Sequence, residues 1–232
     1  MHILVTNDDG VMARGLLALA QELRKLGKVT VLAPDSNWSA SGHVKTLHRP
    51  LRVHNRTLAD GTEALTTDGA PSDCVALALL GLVEEKIDML VAGINPNANL
   101  GHDVTYSGTV TAAMEAAIGG IPGIAVSLQT PDHFEGQKDY GAAAHYGRIV
   151  AERVMQNDLP KHTLLNVNVP YLPMEAIKGV QVTRQGLRVY RDELVRREDP
   201  HGHPTTGSGE SPRRAWRRTG RTLGRWRRAA FR

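Results

Sequence analysis

Short, continuous apolar runs alternate with helically patterned stretches through the first two-thirds of this 232-residue chain. That alternation most limits what the chain can fold into. The runs His2–Thr6, Val29–Ala33, Met89–Ile94, Ile124–Leu128, Leu164–Val169 and Val180–Thr183 are rich in Val, Ile and Leu, as strands covered on both faces are. Between them, Leu16–Leu26, Ser72–Glu85, Thr109–Gly119 and Tyr140–Gln156 read as helices. In the first of these, Leu16, Leu19, Ala20, Leu23 and Leu26 fall at helical spacing and Gly27 supplies a stop. The fold class this predicts is an open, mostly parallel α/β sheet with right-handed crossovers. Residues 43–67 break the rhythm with short extended pieces suited to a hairpin-like excursion, and no internal repeat is present.

A chain of this length buries one sizeable core with a small appendage. No apolar run is long enough to cross a bilayer, and the N-terminus lacks a signal-peptide pattern. The single cysteine, Cys74, lies in an apolar run and cannot form an internal disulfide. These features lead us to expect a reducing, cytoplasmic setting. The net charge of +4 divides unevenly: residues 213–232 hold nine arginines and no acid, which leaves residues 1–212 at −5.

Ligands of such sheets bind at the carboxyl ends of the strands, and polar clusters gather there. Asp8 and Asp9 follow the first strand, Ser36–Ser41 the second, and Asn95 the strand "MLVAGIN", while "YSGT" (Tyr106–Thr109) opens a helix. Two adjacent carboxylates are costly unless a cation or a shared proton compensates. The all-oxygen set Asp8, Asp9, Ser39 and Asn95 suits one hard dication, Mg²⁺ or Mn²⁺, and the scattered histidines give no zinc spacing. Taken singly, Asp8 as a helix cap and Asn95 as a turn residue are the simpler readings; the convergence favours the metal. "SGT" offers hydroxyls and backbone N–H groups at a positive helix end, suited to a phosphate, and alone would be an ordinary N-cap. Together the two features describe phosphoryl chemistry, with Asp8 or Asp9 orienting a water. His43 is either a phosphate-side group and general acid or a hydrogen-bonded loop residue. Neither G-x-G-x-x-G after the first strand nor G-x-x-x-x-G-K-[ST] occurs, which removes the main support for dinucleotide and P-loop readings.

The segments "VTNDDG", "APDSNWSASG", "GAPSDCV", "VAGINPNANLG" and "YSGTVTAAMEA" together resemble, in order and spacing, the SurE family of survival-protein nucleotidases. The resemblance runs to about residue 203, where "EDPHGHP" is similar to the family's D-P-x-G-x-P. It implies a metal-dependent phosphohydrolase of nucleoside 5′-monophosphates, acting also on 3′-nucleotides and short polyphosphate. It implies a Rossmann-like, three-layer α/β/α core at 1–186 and a C-terminal extension, beginning at 187–204, that exchanges between subunits of a homodimer or higher homo-oligomer. The metal ligands carry over to Asp8, Asp9, Ser39 and Asn95, the phosphate-side residues to Asn99, Ser107, Gly108 and Thr109. Asn97 stands where the family's G-[IV]-N-x-G-x-N has its second glycine, a position asparagine tolerates, and "GAP" (Gly69–Pro71) replaces "GTP".

The tail departs further. After D-P-x-G-x-P the family continues with aromatic "YYW-I-G-G", an acidic stretch and "TDLGAVAAG", whereas this chain reads "TTGSGESPRRAWRRTGRTLGRWRR". Back-translated with GC-rich codons and read one base earlier, Pro204 onward yields Tyr-Tyr-Trp-Ile-Gly-Gly-Glu-Ser and then the family's remaining pattern. Residues 205–232 therefore read as a frameshift product, whose loss of the exchanged extension weakens assembly. At face value, its arginines with Trp216 and Trp226 resemble a nucleic-acid-binding arm. Two competitors to the phosphohydrolase stand: a nucleotide-sugar transferase, for which 232 residues leave little room, and a nucleic-acid binder acting through the tail.

Overall fold

Ile3, Leu4 and Val5 are all fully buried, because the first strand is covered on both faces and successive side chains point to opposite sides. Ile3 and Val5 enter one core with Leu16, Leu19, Leu23 and Ala151. Leu4 enters the other with Cys74, Val75, Val110 and Ala113. The computed structural model describes residues 1–188 and 192–210. Two compact units divide the chain, Met1–Arg188 and Val189–Arg232.

The first unit carries β1 (His2–Thr6), α1 (Arg14–Leu23), β2 (Lys28–Pro34), β3 (Val53–Thr57), β4 (Glu63–Thr67), α2 (Pro71–Leu77), β5 (Met89–Asn95), α3 (Asp103–Tyr106), α4 (Gly108–Ile118), β6 (Gly123–Gln129), α5 (Gly141–Gln156) and β7 (Leu164–Pro170). They form a seven-stranded sheet ordered β3-β4-β2-β1-β5-β6-β7. Only β3 runs antiparallel, paired with β4 from Val53 opposite Thr67 to Thr57 opposite Glu63. The excursion expected over residues 43–67 is thus an edge hairpin. Helices α1 and α5 cover one face, α2 and α4 the other.

From β1 the chain first builds outward to β2 and β4, then returns to lay β5 along β1's other side, with Thr6 opposite Ala92. The order reverses between β1 and β5. A crevice therefore opens beyond their carboxyl ends, where neighbouring connections depart to opposite faces.

Three elements differ from expectation. Val180–Thr183 is not a strand: Val180 and Val182 stand 61 % and 81 % exposed, and without a ladder partner an apolar alternation does not make a strand. The helix expected to run to Glu85 stops as an α-helix at Leu77; Ala78–Leu82 widens into a π-turn and ends at Gly81, whose φ is 109°. The first helix begins two residues before the apolar periodicity, at Arg14, and closes at Leu23.

The second unit contains a hairpin, β8 (Asp192–Glu198) against β9 (Pro204–Glu210). Its turn is tied by Asp199, whose carboxylate accepts the backbone N–H groups of His201 at 2.8 Å and His203 at 2.9 Å. Residues 211–232, which hold most of the segment read as frameshifted, lie outside the described residues.

Candidate active site

Asn7, Asp8, Asp9 and Gly10 form the turn that leaves β1. Asn7 closes it from both sides, donating Nδ2 to the Gly10 carbonyl at 2.9 Å and accepting the Gly10 N–H at 3.2 Å. Gly10 sits at φ 103°, a conformation glycine adopts without strain. The turn packs onto the end of β2, where Val11 N–H donates to the Pro34 carbonyl at 2.8 Å and Trp38 N–H to the Asp8 carbonyl at 2.8 Å. The loop carrying Ser39 is thereby fastened to the doublet's backbone.

Asp8 is 3 % exposed, and α4 holds both of its oxygens. Thr109 Oγ1 donates to one at 2.6 Å and Thr109 N–H to the other at 3.2 Å. A carboxylate at a helix N-terminus meets its orphan donors and positive end. Gly108 must lack a side chain, since a Cβ there would stand 2.8 Å from the Asp8 Cβ. Asp9, more open, has its carboxyl pushed up from 3.8 to about 6, by burial first and by Asp8 second, with Lys138 pulling the other way. An acidic pair left in this state is what a dication neutralises.

The other expected ligands are placed as follows. Asn95 ends β5, adjacent to β1 across the switch point; its Nδ2 donates to the Asn97 carbonyl, leaving Oδ1 as its acceptor. Ser39 is exposed in the loop after β2, its backbone N–H donating to Asn37 Oδ1 at 2.7 Å. Three strand ends thus bring Asp8, Asp9, Ser39 and Asn95 to one edge of the sheet. Among the described residues no three His, Cys, Asp or Glu side chains cluster as metal ligands. The donors here are two carboxylates with a hydroxyl and an amide oxygen, a hard set that fits Mg²⁺ or Mn²⁺.

The helix mouth is more occupied than its sequence suggests. Ser107 Oγ caps α4 by accepting the Val110 N–H at 3.2 Å, and the Thr109 N–H belongs to Asp8. That leaves the Gly108 N–H as the first-turn donor available to a ligand, with the Ser107 hydroxyl proton beside it. Asn99 is 7 % exposed and faces inward. Its Nδ2 donates to Ser127 Oγ at 2.9 Å, its N–H to Asn168 Oδ1 at 2.8 Å, and its carbonyl accepts Asn166 Nδ2 at 2.9 Å and Asn168 Nδ2 at 3.1 Å. Asn99 thus anchors the loop after β5 to β6 and β7.

His43 does not join the mouth. Its Nε2 bonds Glu115 Oε2 at 2.8 Å, more than one turn further along α4 than Thr109, and Lys45 engages the other Glu115 oxygen at 2.5 Å. Gly42 N–H donates to the Tyr106 carbonyl at 2.9 Å, while Thr111 Oγ1 donates to the Gly42 carbonyl at 3.0 Å. These contacts lash residues 42–45 to α4. Cys74 is fully buried with its thiol pushed up by that burial, which fits a core residue and not a nucleophile.

Reading the sequence did not single out Arg14, Glu115, Lys138 or Tyr140. "NDDG" does carry a signal for Asn7, an asparagine three residues before a turn glycine. Nothing local marks Lys138 and Tyr140, which come to Asp9 from about 130 residues away.

The sheet order, with oxygen-bearing side chains at the switch point between β1 and β5, defines a Rossmann-like α/β protein. The chain belongs to the SurE family: the family model for Survival protein SurE matches residues 3–192. It is 53 % identical over 204 residues to the 5′-nucleotidase SurE of Herpetosiphon aurantiacus, covering 88 % of this chain and 79 % of that protein. Against the 5′-nucleotidase SurE of Chloroflexus aggregans it is 52 % identical over 204 residues, covering 88 % and 80 %. The crystal structure of the SurE protein from Aquifex aeolicus superposes with a TM-score of 0.76 at 39 % identity, covering 90 % of this chain and 82 % of that one.

Proposed function

We propose that this chain is a 5′-nucleotidase that hydrolyses the phosphomonoester of nucleoside 5′-monophosphates with one divalent cation, Mg²⁺ or Mn²⁺. The observation that carries the proposal is the Asp8–Asp9 doublet at the switch point, with Asp8 locked onto the N-terminus of α4. Relatives named 5′-nucleotidase SurE, about half identical over most of the chain, support the substrate class.

Asp8, Asp9, Ser39 Oγ and Asn95 Oδ1 would hold the cation. When bound, it supplies Lewis acidity to a phosphoryl oxygen and to the attacking water. Asp9 orients that water and accepts its proton. Asp8 is aimed by Thr109, which holds both of its oxygens. The Gly108 N–H and the Ser107 hydroxyl face the phosphate oxygens, where the absence of a side chain at Gly108 allows close approach. Water oxygen bonds to phosphorus, the ester P–O bond breaks, and the nucleoside leaves with a proton. Asn99 acts behind the site by fixing the loop that presents Asn95, and His43 by fixing the one that presents Ser39. An oligomer weakened by the altered tail, and a frameshift origin for residues 205–232, belong to the same reading; gel filtration and resequencing test them.

Phosphate release from AMP and the other nucleoside 5′-monophosphates, with Mg²⁺, Mn²⁺ or chelator, tests the activity. Release should require the cation and fall by at least about a hundredfold in Asp9→Ala. Undiminished release by Asp9→Ala, or by protein stripped of metal, contradicts the proposal.

A further inference from the structure

A second cleft opens on the α1 and α5 face, beside Asp9. Arg14, Gln137, Lys138, Asp139, Tyr140 and Gly141 line it. Tyr140 closes its inner wall: a Cβ on Gly15 would stand 2.5 Å from the Ile94 carbonyl oxygen and 3.1 Å from the Tyr140 ring. The ring therefore lies over the end of β5, next to Asn95. Lys138 and Tyr140 both stand within the electrostatic reach of Asp9.

Two cations, Arg14 and Lys138, share this cleft, and neither has a carboxylate partner among the described residues. The Asp139 carboxylate, the one acid in the lining, accepts the Gly141 N–H at 2.8 Å and so caps α5. Gln137, a neutral amide, lies against the Arg14 guanidinium. The first turns of α1 and α5 carry no acid. Through residue 212 the chain has an excess of five acidic charges, so two unpaired cations held in one cleft mark a place where an anion belongs. A guanidinium and an ammonium are the side chains that recognise phosphate.

We infer that Arg14 and Lys138 form a subsite for a second phosphate of the substrate, making nucleoside 3′,5′-bisphosphates better substrates than monophosphates. The inference rests on the nucleotidase reading for the first phosphate. That phosphate is placed at the α4 mouth on one face of the sheet, while the cation pair belongs to the opposite face, with the β1 and β5 ends between. Phosphates on opposite sides of a ribose are set further apart than two joined by a bridging oxygen, which suits two places on opposite faces of the sheet. The chemistry recognised is a ribose bisphosphate.

The test compares kcat/KM for adenosine 3′,5′-bisphosphate, AMP and ADP in the full-length chain and in Arg14→Gln and Lys138→Gln. A charge-assisted contact to phosphate is worth on the order of tenfold or more, so the wild type should favour the bisphosphate over AMP by about that factor. Each variant should lose most of this preference, read as the ratio of kcat/KM for the bisphosphate to that for AMP, whatever its absolute turnover of AMP. Equal kcat/KM for bisphosphate and AMP in the wild type overturns the inference, as does a preference for ADP over the bisphosphate. An equal loss on both substrates in the variants also overturns it, assigning the cations to the scissile phosphate. Calorimetric binding of the same ligands separates this failure from failure of the nucleotidase reading. If no nucleotide is turned over, tighter binding of bisphosphate than AMP that vanishes in Lys138→Gln still supports the subsite, and equal binding rejects it.

Discussion

Thr109 grips Asp8 with two donors, its hydroxyl at 2.6 Å and its backbone N–H at 3.2 Å. A residue in the first turn of α4 thus sets the direction of a carboxylate in the turn after β1, 101 positions away. Removing the hydroxyl while keeping the shape separates the two donors. Thr109→Val should lower kcat/KM by about ten- to a hundredfold and destabilise by about 1–3 kcal/mol, since a buried carboxylate oxygen loses its partner. Thr109→Ser should restore most of both. Steady-state kinetics and urea unfolding check this, and a Val variant matching the wild type would refute it.

Asp9 yields a prediction in pH. Its folded-state carboxyl lies near 6, above the ordinary 3.8. A raised carboxyl contributes stability below the unfolded value and loses it as pH rises through the folded value. In chelator, the wild type should therefore weaken relative to Asp9→Asn between about pH 4 and pH 7, by on the order of 2 kcal/mol once fully ionised. Thermal melts at pH 4 and pH 8 should show the Asn variant near parity at the lower pH and several degrees ahead at the higher. Added Mg²⁺ or Mn²⁺ should close that gap by stabilising only the wild type.

Asn168 accepts the Asn99 N–H at 2.8 Å and returns a donor to the Asn99 carbonyl at 3.1 Å. Asn168→Leu leaves both backbone groups without these partners, at a cost of about 1–3 kcal/mol. Because the loop so released follows Asn95, cation affinity should fall along with stability. Titration of activity with Mn²⁺ measures it: the half-saturating concentration should rise by about threefold or more, whereas an unchanged value would confine Asn168 to stability.

Asp73, 4 % exposed, fastens the edge excursion to α2. It accepts Thr46 N–H at 3.0 Å, Thr46 Oγ1 at 2.8 Å and Ala70 N–H at 2.9 Å. Asp73→Ala should cost about 2–4 kcal/mol, because three donors lose one charged acceptor. Hydrogen exchange should quicken around Thr46 and Ala70 while β1 and β5 stay protected. Uniform exchange changes across the sheet would point to global destabilisation instead.

Much of the architecture was legible in the sequence, for a physical reason. Parallel strands buried on both faces must be apolar throughout, so His2–Thr6, Met89–Asn95 and Gly123–Gln129 stand out against their flanks. Val180–Thr183 misled because its apolar residues match a strand's, yet pairing depends on a partner that local pattern does not reveal. The end of α2 was illegible in the same way: the periodicity continues through Leu82, but the helix changes its winding at Ala78.

At the site, sequence by itself determined which residue types stand after which strand. An acidic doublet, a serine loop and an asparagine at strand ends follow from apolar runs that must terminate in polar turns. The proposed affinity for a hard cation follows from the oxygens of those side chains. Tertiary structure alone decided how those groups are used. Thr109 became the holder of Asp8, Asn99 an anchor turned inward, and His43 the partner of buried Glu115. It also set Lys138 and Tyr140 near Asp9. Hydrogen bonds and charges act over a few ångströms, and which distant segments come that close is fixed by strand order and helix packing, which local sequence does not encode.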